Sequence, residues 1–382
     1  MTAIYMDNAA TSFPKPESVY EAVDHFNRYM GGNPGRGSNQ QTLEAGSVLL
    51  NTRETLARFF NIKDSADIAF TLNITESINT GLKGMLRAGD HVITSSMEHN
   101  AVARPLNVLR QHGIEWTQVA CSQDGSLDPE DVRRAIKKNT RMICILHASN
   151  LTGTIMPIRE IGHIARNAGV TFLVDSAQTA GVLPIDVELD NIDILTFTGH
   201  KGLLGPQGTG GIYISPRIQV KPLKEGGTGS LSEYLEQPDF MPDILESGTL
   251  NTPGIAGLGA GLDFIAEQGL EKIKAREQLL TNQLLDGLQQ IPGVTLYGPA
   301  DSNRRTAVLA FNLDNMDCGE LSTYLDYEFG ITTRSGLHCS PLAHQTIGTL
   351  AQGACRLSPG YFTEHADVIK VLTAIDQLSR RL

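Results

Sequence analysis

Ile192-Asp-Ile-Leu-Thr-Phe-Thr-Gly-His-Lys201 places a lysine where an apolar, strand-like run gives way to a glycine-rich stretch that continues to Gly211. A lysine beside a turn is most simply a surface residue. At the end of a buried strand, however, an ammonium group loses hydration, so its pKa falls and its amine becomes nucleophilic. Lys201 is therefore a candidate for covalent catalysis, provided that its neighbours support such a role.

The chain before this stretch alternates between apolar runs and helical patterns. We predict strands at 68–71, 91–96, 115–119, 142–146 and 170–175, with helices between most of them. Apolar runs this continuous suit strands that are covered on both faces, so the pattern predicts an α/β protein with a largely parallel sheet wrapped by helices. The functional loops of such a sheet lie beyond the carboxyl ends of its strands.

The pattern changes after Gly211. A long helical stretch runs from Pro253 to about Gln290 with a break at Gly269, and short strands and helices follow it. The length of 382 residues also exceeds the usual size of one domain. We therefore expect a large α/β domain at 15–255 and a smaller α+β domain formed by 1–14 and 256–382.

Composition narrows the classes of function. The formal net charge of -11 disfavours a nucleic-acid or membrane surface. The sequence shows no targeting segment and no apolar run long enough to span a bilayer, so we expect a cytoplasmic protein. Five cysteines without C-x-x-C spacing indicate neither a disulfide framework nor a zinc site, and no metal is expected.

Asp175 ends the predicted strand that precedes Lys201 in the chain. A carboxylate at the end of a buried strand needs a partner, because an unpaired buried charge is costly. The partner is usually a loop amide, but it can also be the cationic ring nitrogen of a cofactor. Since Asp175 and Lys201 end successive strands, they can reach one crevice, and this pair suits the chemistry of pyridoxal phosphate.

Thr75 stands between a predicted strand and a predicted helix. Threonine is a good N-cap, and capping alone would explain it. A helix that begins beyond a strand end also offers free N–H groups to a phosphate.

Seven segments in order along almost the whole chain resemble the motif set of cysteine desulfurases and selenocysteine lyases. These enzymes belong to the class V, fold type I aminotransferase superfamily. The segments are Asp7-Asn-Ala-Ala-Thr11, Asn73-Ile-Thr-Glu-Ser-Ile-Asn79, Met97-Glu-His-Asn100, Val174-Asp-Ser-Ala-Gln178, Thr198-Gly-His-Lys201, Arg334-Ser-Gly-Leu-His-Cys339 and Cys355-Arg-Leu-Ser358. The resemblance implies bound pyridoxal phosphate and a mainly parallel seven-stranded sheet with a smaller α+β domain.

The resemblance assigns cofactor-binding roles by position. The residues concerned are Lys201 as the covalent attachment point, Asp175 at the pyridine nitrogen, Gln178 at the phenolic oxygen, His99 on the ring face, and Thr75, Glu76, Thr198 and His200 at the phosphate. Thr249 would contact the phosphate of a neighbouring subunit, which implies a homodimer with shared sites.

The resemblance also implies how the substrate is held. Arg356 and Asn150 would bind the amino-acid carboxylate, and Asn8, Ala10 and Arg334 are further candidates for substrate binding. Guanidinium suits this task because it can bind a carboxylate through two hydrogen bonds.

Cys339 determines which reaction is expected. It stands near Arg334, His338 and His344, and we expect these groups to act as cations that favour a thiolate. By resemblance, Lys201, Cys339 and His99 are the catalytic residues. L-Cysteine would give L-alanine, with a persulfide left on Cys339 for an acceptor protein.

Other readings stay open. A selenocysteine lyase acting on L-selenocysteine needs the cysteine less, because selenium leaves more readily. Another class V reaction, such as transamination or epimerisation, would make Cys339 incidental, and a catalytically idle dimer would use the fold for interaction alone. The loop after Cys339 is also one residue shorter than the Cys-Ala-Gln-Pro-Leu loop of the subgroup it resembles.

Overall fold

A central sheet of seven strands and a second sheet of four organise the part of the protein that the computed structural model describes, residues 3–34 and 39–381. The strands in chain order are β1 (Ile4–Tyr5), β2 (Ile68–Thr71), β3 (His91–Ser95), β4 (Glu115–Val119), β5 (Thr140–Leu146), β6 (Thr171–Asp175), β7 (Ile194–Thr198), β8 (Gly210–Ile214), β9 (Val294–Tyr297), β10 (Leu309–Leu313), β11 (Ile331–Thr332), β12 (Arg334–Gly336) and β13 (Ala354–Leu357).

Helices cover both faces of the central sheet and one face of the small one. They are α1 (Glu17–His25), α2 (Gln40–Phe59), α3 (Ile74–Met85), α4 (Asn100–Arg110), α5 (Pro129–Ala135), α6 (Ile158–Ala168), α7 (Thr252–Gln268), α8 (Leu270–Gln289), α9 (Cys318–Phe329), α10 (Pro341–Thr346) and α11 (His365–Ser379). Among these, no helix of the described residues combines the length and apolar character needed to cross a membrane.

The central sheet has the strand order β2-β8-β7-β6-β5-β3-β4. Strands β3 to β7 pair in parallel, whereas β8 pairs antiparallel with both β7 and β2. The sequence prediction of a mainly parallel seven-stranded sheet is thus confirmed. Because β5, β6 and β7 are adjacent and parallel, the residues that follow them share one edge of the sheet, and this edge carries both Asp175 and the Lys201 loop.

Strand β8 was not predicted, because its first residues belong to the glycine-rich stretch. The reason for glycine is local packing. A Cβ atom added at Gly211 would lie 2.3 Å from the ring of Phe197, and one at Gly210 would lie 2.9 Å from the Phe197 carbonyl oxygen. Glycine here marks a strand that another residue approaches closely, which the sequence pattern does not distinguish from a loop.

Alternate residues of the central strands enter two different clusters. Phe172 and Val174 of β6 pack into one cluster, whereas Leu173 between them packs into the other. Both clusters consist of side chains that are less than 10% exposed. Burial on both faces explains the continuous apolar runs, since each fully buried side chain of this size stabilises the fold by about 1.5–3 kcal/mol.

The second sheet is antiparallel and has the order β12-β13-β10-β9. Helices α8, α9 and α11 pack against it through a third cluster. Strand β1 pairs in parallel with β11, which joins the N-terminal segment to the C-terminal part. Helix α7, by contrast, packs on α1 and α2. The division of the chain at residue 255 stays a prediction.

Candidate active site

Lys201 and Asp175 lie together at the carboxyl edge of the central sheet. Asp175 is the last residue of β6, and Lys201 lies in the loop after β7. Burial lowers the pKa of Lys201 to about 8, with the Asp175 charge opposing this shift. Arg356 and Arg334 also lower this pKa, so their charges lie within reach of the same amine. The uncharged fraction of Lys201 near neutral pH is thus larger than that of an ordinary lysine, as a nucleophilic amine requires.

Asp175 has few partners for a buried carboxylate. It is 4% exposed, and its Oδ1 atom accepts a hydrogen bond of 2.9 Å from the Ala177 amide. Burial raises its pKa, while the Ala177 amide and the Lys201 charge lower it. A further cationic donor at this carboxylate would offset the cost of its burial.

His99 begins helix α4. Its Nδ1 atom accepts a hydrogen bond of 3.0 Å from the Ala101 amide and so caps the helix. Burial lowers the pKa of His99 to about 4, and the charges of Lys201 and Arg334 act in the same direction. The imidazole is therefore neutral with its proton on Nε2, and it lies within reach of the charges of Lys201 and Arg334.

Gln178 faces the cleft that also contains Lys201 and Asn8. Its Nε2 atom donates a hydrogen bond of 3.1 Å to the carbonyl of Ala9. The amide group is thus held in place by the N-terminal segment.

Thr75 does not cap helix α3, so that part of the prediction is wrong. The N-cap is Asn73, which has extended backbone geometry and whose Oδ1 atom accepts a hydrogen bond from the Glu76 amide. The Glu76 amide expected to bind phosphate is therefore already paired, and the Glu76 carboxylate bonds Leu72 and Lys224. Thr75 itself is exposed in the first turn of α3. Of the two residues expected to bind phosphate here, Thr75 is therefore the one that suits the contact, through its own amide and hydroxyl group.

Thr198 and His200 lie on either side of Gly199, between β7 and Lys201. The Thr198 hydroxyl group is buried and donates to the carbonyl of Thr209 at 3.4 Å. His200 has a buried Nδ1 atom without a hydrogen-bond partner among the described residues. Burial lowers the pKa of His200 to about 4, so the ring is neutral and Nδ1 can carry a proton for an external acceptor.

Thr249 lies apart from this cleft. It is exposed and shares a surface pocket with Leu72 and Glu76. The structure therefore does not bring Thr249 to Lys201 within one chain, which is compatible with its expected contact to another subunit.

Arg356 is held by the protein in a specific orientation. It is 1% exposed, its Nη1 atom donates to the Asn150 carbonyl at 2.8 Å, and its Nη2 atom forms an ion pair with Asp7. Its Nε atom is buried without a hydrogen-bond partner among the described residues. Asp7 was not expected to pair with Arg356, although a buried arginine implies a carboxylate partner.

Asn8 and Ala10 are used in the N-terminal turn. The Asn8 side chain donates to the Ser358 carbonyl and accepts from the Phe13 amide, and the Ala10 amide donates to the Asp7 carbonyl. These contacts place the turn beside β13, which carries Arg356.

Asn150 supports the loop that carries Cys339. Its Nδ2 atom donates to the His338 carbonyl at 2.8 Å, and its Oδ1 atom accepts from the Ser340 hydroxyl group at 2.6 Å. Both flanks of Cys339 are therefore tied to one buried side chain.

Cys339 is exposed, and the Arg334 Nη2 atom lies 3.7 Å from its sulfur. The expectation that His338 and His344 also act as cations is wrong. Both rings are buried, and burial lowers the pKa of His338 to about 3 and that of His344 to about 4. Arg334 is the cation that the structure places at this sulfur.

Three features fit pyridoxal phosphate. The Lys201 amine with its lowered pKa suits an aldehyde, the buried Asp175 carboxylate suits a basic ring nitrogen, and the unpartnered His200 Nδ1 atom suits a phosphate oxygen. Within the described ranges, no three His, Cys, Asp or Glu side chains are grouped as metal ligands.

Comparison with known proteins gives a consistent result. A model of the family described as aminotransferase class-V matches residues 4–371. A probable cysteine desulfurase of Methanothermobacter thermautotrophicus is 35% identical over 359 residues, which cover 91% of this chain and 88% of that protein. A cysteine desulfurase of Salmonella typhimurium is 34% identical over 388 residues, which cover 99% of this chain and 94% of that protein.

Solved structures show the same likeness. The apo structure of a cysteine desulfurase from Thermococcus onnurineus superimposes with a TM-score of 0.93 at 30% identity and covers 100% of this chain and 95% of that one. The cysteine desulfurase CsdA from Escherichia coli gives a TM-score of 0.88 at 28% identity, again with 100% and 95% coverage.

Proposed function

The chain belongs to the class V aminotransferase family, and from that premise we propose that it is a pyridoxal-phosphate cysteine desulfurase that converts L-cysteine into L-alanine. The observation that carries the proposal is the exposed Cys339 beside Arg334, whose charge, together with that of Arg356, also acts on the Lys201 amine. Transamination has no use for such a thiol, whereas desulfuration needs a nucleophile for sulfur.

Three residues of the chain serve the chemistry at the amino-acid carbon. Bound pyridoxal phosphate supplies an electron-withdrawing ring that stabilises negative charge at that carbon. Asp175 would keep the ring nitrogen protonated, and the neutral imidazole of His99 would pack on the ring face. Lys201 would hold the group covalently, and its amine, once released, would take the proton from the substrate Cα atom.

The phosphate contacts follow from the first turn of α3 and the Lys201 loop. Thr75 would donate to the phosphate from its amide and hydroxyl group, and His200 would donate from Nδ1. Because the Thr198 hydroxyl group is bonded to the Thr209 carbonyl, Thr198 contributes mainly by fixing the loop. Glu76 keeps the Lys224 side chain at this site through their ion pair.

The substrate carboxylate binds to Arg356. Its Nε atom, which has no partner among the described residues, is free to donate, while the Asp7 and Asn150 contacts fix the guanidinium plane. Arg334 stabilises the thiolate of Cys339. This thiolate attacks the substrate sulfur, the bond between that sulfur and the substrate Cβ atom breaks, and the electron pair stays with the carbon skeleton. Protonation of that skeleton gives alanine, and the persulfide stays on Cys339.

Two further proposals concern partners. We propose a homodimer in which Thr249 contacts the phosphate of the other subunit. Thr249 is flanked by Leu50 and Leu72, each 52% exposed, which are apolar side chains that a second copy would cover. We also propose an acceptor that takes the sulfur from the exposed Cys339. The cytoplasmic location stays a prediction.

A substrate screen tests the function. Purified holoenzyme is supplied in parallel with L-cysteine, L-selenocysteine and cysteine sulfinate, and alanine is measured in each reaction. Alanine from L-cysteine supports the proposal. Alanine from L-selenocysteine alone would make the protein a selenocysteine lyase, and keto-acid formation without alanine would indicate transamination.

Replacing Arg356 with lysine should raise KM for L-cysteine with little change in the absorption of bound cofactor. Lysine is a point charge that cannot reproduce the Nε donor, and the loss of a charge-assisted hydrogen bond of about 1.5–3 kcal/mol corresponds to a roughly 10- to 150-fold effect. Steady-state kinetics measures it. The matched control is Arg304→Lys, since Arg304 forms a surface ion pair with Asp124. An unchanged KM would refute the assignment of Arg356.

Attachment of the cofactor should follow the lowered pKa of Lys201. Since the neutral amine is the nucleophile, the rate of attachment to apoenzyme should rise with pH and level off above about 8. Stopped-flow absorption over a pH series measures this rate. A rate that keeps rising up to pH values near 10.5, the ordinary value for lysine, would contradict the role of burial.

A further inference from the structure

Cys339 lies in a backbone turn that its own sequence does not favour. His338 has φ of 50° and Cys339 has φ of 57°, so two consecutive residues with side chains adopt the left-handed conformation. This conformation is unfavourable for residues other than glycine and persists where surrounding contacts impose it. The contacts that impose it are therefore part of how the thiol is positioned.

Two imidazoles lie beneath this turn. The His338 Nδ1 atom is 3.4 Å from the His344 Nε2 atom, and the two ring planes differ by 11°. His338 Nε2 lies 3.3 Å from the carbonyl oxygen of Arg334, and His344 Nδ1 lies 2.7 Å from the hydroxyl oxygen of Thr349. The three side chains of His338, His344 and Thr349 are at most 3% exposed.

The direction of each hydrogen bond follows from the neutral state of both rings, whose pKa values are lowered by burial. A carbonyl oxygen only accepts, so His338 Nε2 carries a proton. A neutral imidazole has one N–H group, so His338 Nδ1 accepts and His344 Nε2 donates. His344 Nδ1 then accepts in turn, and the Thr349 hydroxyl group is the donor. The hydrogen bonds therefore all point in one direction, from the Thr349 hydroxyl group through His344 and His338 to the Arg334 carbonyl.

We propose that this hydrogen-bonded series of Thr349, His344 and His338, the histidine relay, positions Cys339 for attack on the substrate sulfur. The relay joins helix α10, which follows Cys339, to strand β12, which carries Arg334. Strand β12 in turn pairs with β13, where Arg334 lies opposite Arg356. The relay thus fixes the nucleophile relative to both arginines. The inference rests on the proposed function.

The loop is also clamped from outside the relay. The Cys339 carbonyl accepts a hydrogen bond of 2.8 Å from the Asn100 amide, and Asn150 binds the His338 carbonyl. These contacts hold the main chain but make no hydrogen bond to the imidazole of His338. The relay supplies the missing constraint on that ring and so on the turn that contains it.

The test begins at the remote end of the relay. Thr349→Val removes the hydroxyl donor with little change in shape, whereas Thr349→Ser keeps it. Without its donor, His344 can change tautomer and lose the contact with His338. In holoenzyme given one equivalent of L-cysteine, persulfide formation on Cys339 should slow by about 5- to 10-fold in Thr349→Val, the effect of one hydrogen bond, and stay near wild type in Thr349→Ser. Thr323→Val, on the exposed side of α9, should match wild type.

A second readout separates positioning from general damage. Exchange of the substrate Cα proton with deuterated solvent depends on Lys201, and it should proceed at the wild-type rate in Thr349→Val. Equal slowing of exchange and persulfide formation would overturn the inference, and so would an unchanged rate of persulfide formation. If wild-type enzyme makes no alanine, the proposed function fails instead.

The wild-type protein also tests the relay directly. Nitrogen-15 NMR of histidine-labelled holoenzyme should show both His338 and His344 as neutral rings protonated on Nε2, assigned with His338→Gln and His344→Gln. A proton on Nδ1 of either ring, or a charged ring at neutral pH, would overturn the inference even if the Thr349 variants fail to fold.

Discussion

Lys201→Ala should lose alanine formation by about 10⁴-fold or more, since it removes both the attachment point and the proton carrier. The variant should bind pyridoxal phosphate only reversibly, because Asp175, His99 and the phosphate contacts remain. Borohydride reduction followed by mass spectrometry should therefore find no cofactor attached to the chain. An adduct at another residue of this variant, or turnover near that of wild type, would contradict the assignment.

Lys15 provides a demanding control for this experiment. Burial also lowers the pKa of Lys15 to about 8, so it resembles Lys201 in basicity. Its amine, however, donates to Ser12 and to the His200 carbonyl instead of facing Asp175. Lys15→Ala should keep the covalently bound cofactor. Because both lysines have a pKa of about 8, a difference between Lys15→Ala and Lys201→Ala would show that the position of the amine, and not its pKa alone, determines reactivity.

Cys339→Ala should abolish alanine formation from L-cysteine while keeping the absorption of bound cofactor. The thiolate is the group that removes sulfur, and the residues that hold the cofactor do not include it. Exchange of the substrate Cα proton should continue, because it depends on Lys201. Alanine formation from L-selenocysteine should fall less, since selenium leaves more readily. Unchanged turnover of L-cysteine would refute the role of Cys339.

Cys121→Ala is the matched control for the thiol. Cys121 is partly buried, and burial raises its pKa to about 11, so its thiol stays protonated near neutral pH. It should behave as wild type in both assays. Loss of activity in both variants would indicate general sensitivity to cysteine replacement.

Local patterns were sufficient to locate the sheet and its reactive edge. The run that ends at Asp175 and the run before Lys201 are both continuously apolar, which is the pattern of a strand buried on both faces. Strand β8 escaped detection because its glycines are explained by the Phe197 ring, a contact made across strands β7 and β8. Helix α3 was expected to begin after Thr75, whereas it begins at Ile74 with Asn73 as its cap, because the choice of cap depends on backbone geometry.

Longer-range pairings were outside the reach of sequence patterns. Asp7 and Arg356 meet because the N-terminal segment lies beside β13, where Asp7 is bridged to Ser358. The charge state of His338 and His344 likewise depends on burial by the surrounding fold, whereas their spacing from Cys339 suggested cations. Candidate residues were thus predictable, but their ionisation was set by tertiary structure.

The most direct test of sulfur transfer to Cys339 is the mass of the peptide that contains this residue after one turnover. Holoenzyme is mixed with one equivalent of L-cysteine without an acceptor or a reductant, quenched, alkylated and digested. The Cys339 peptide should gain the mass of one sulfur atom, with an equal amount of alanine released. Alanine release with an unmodified Cys339, or with the sulfur on Cys121, would contradict sulfur transfer to Cys339.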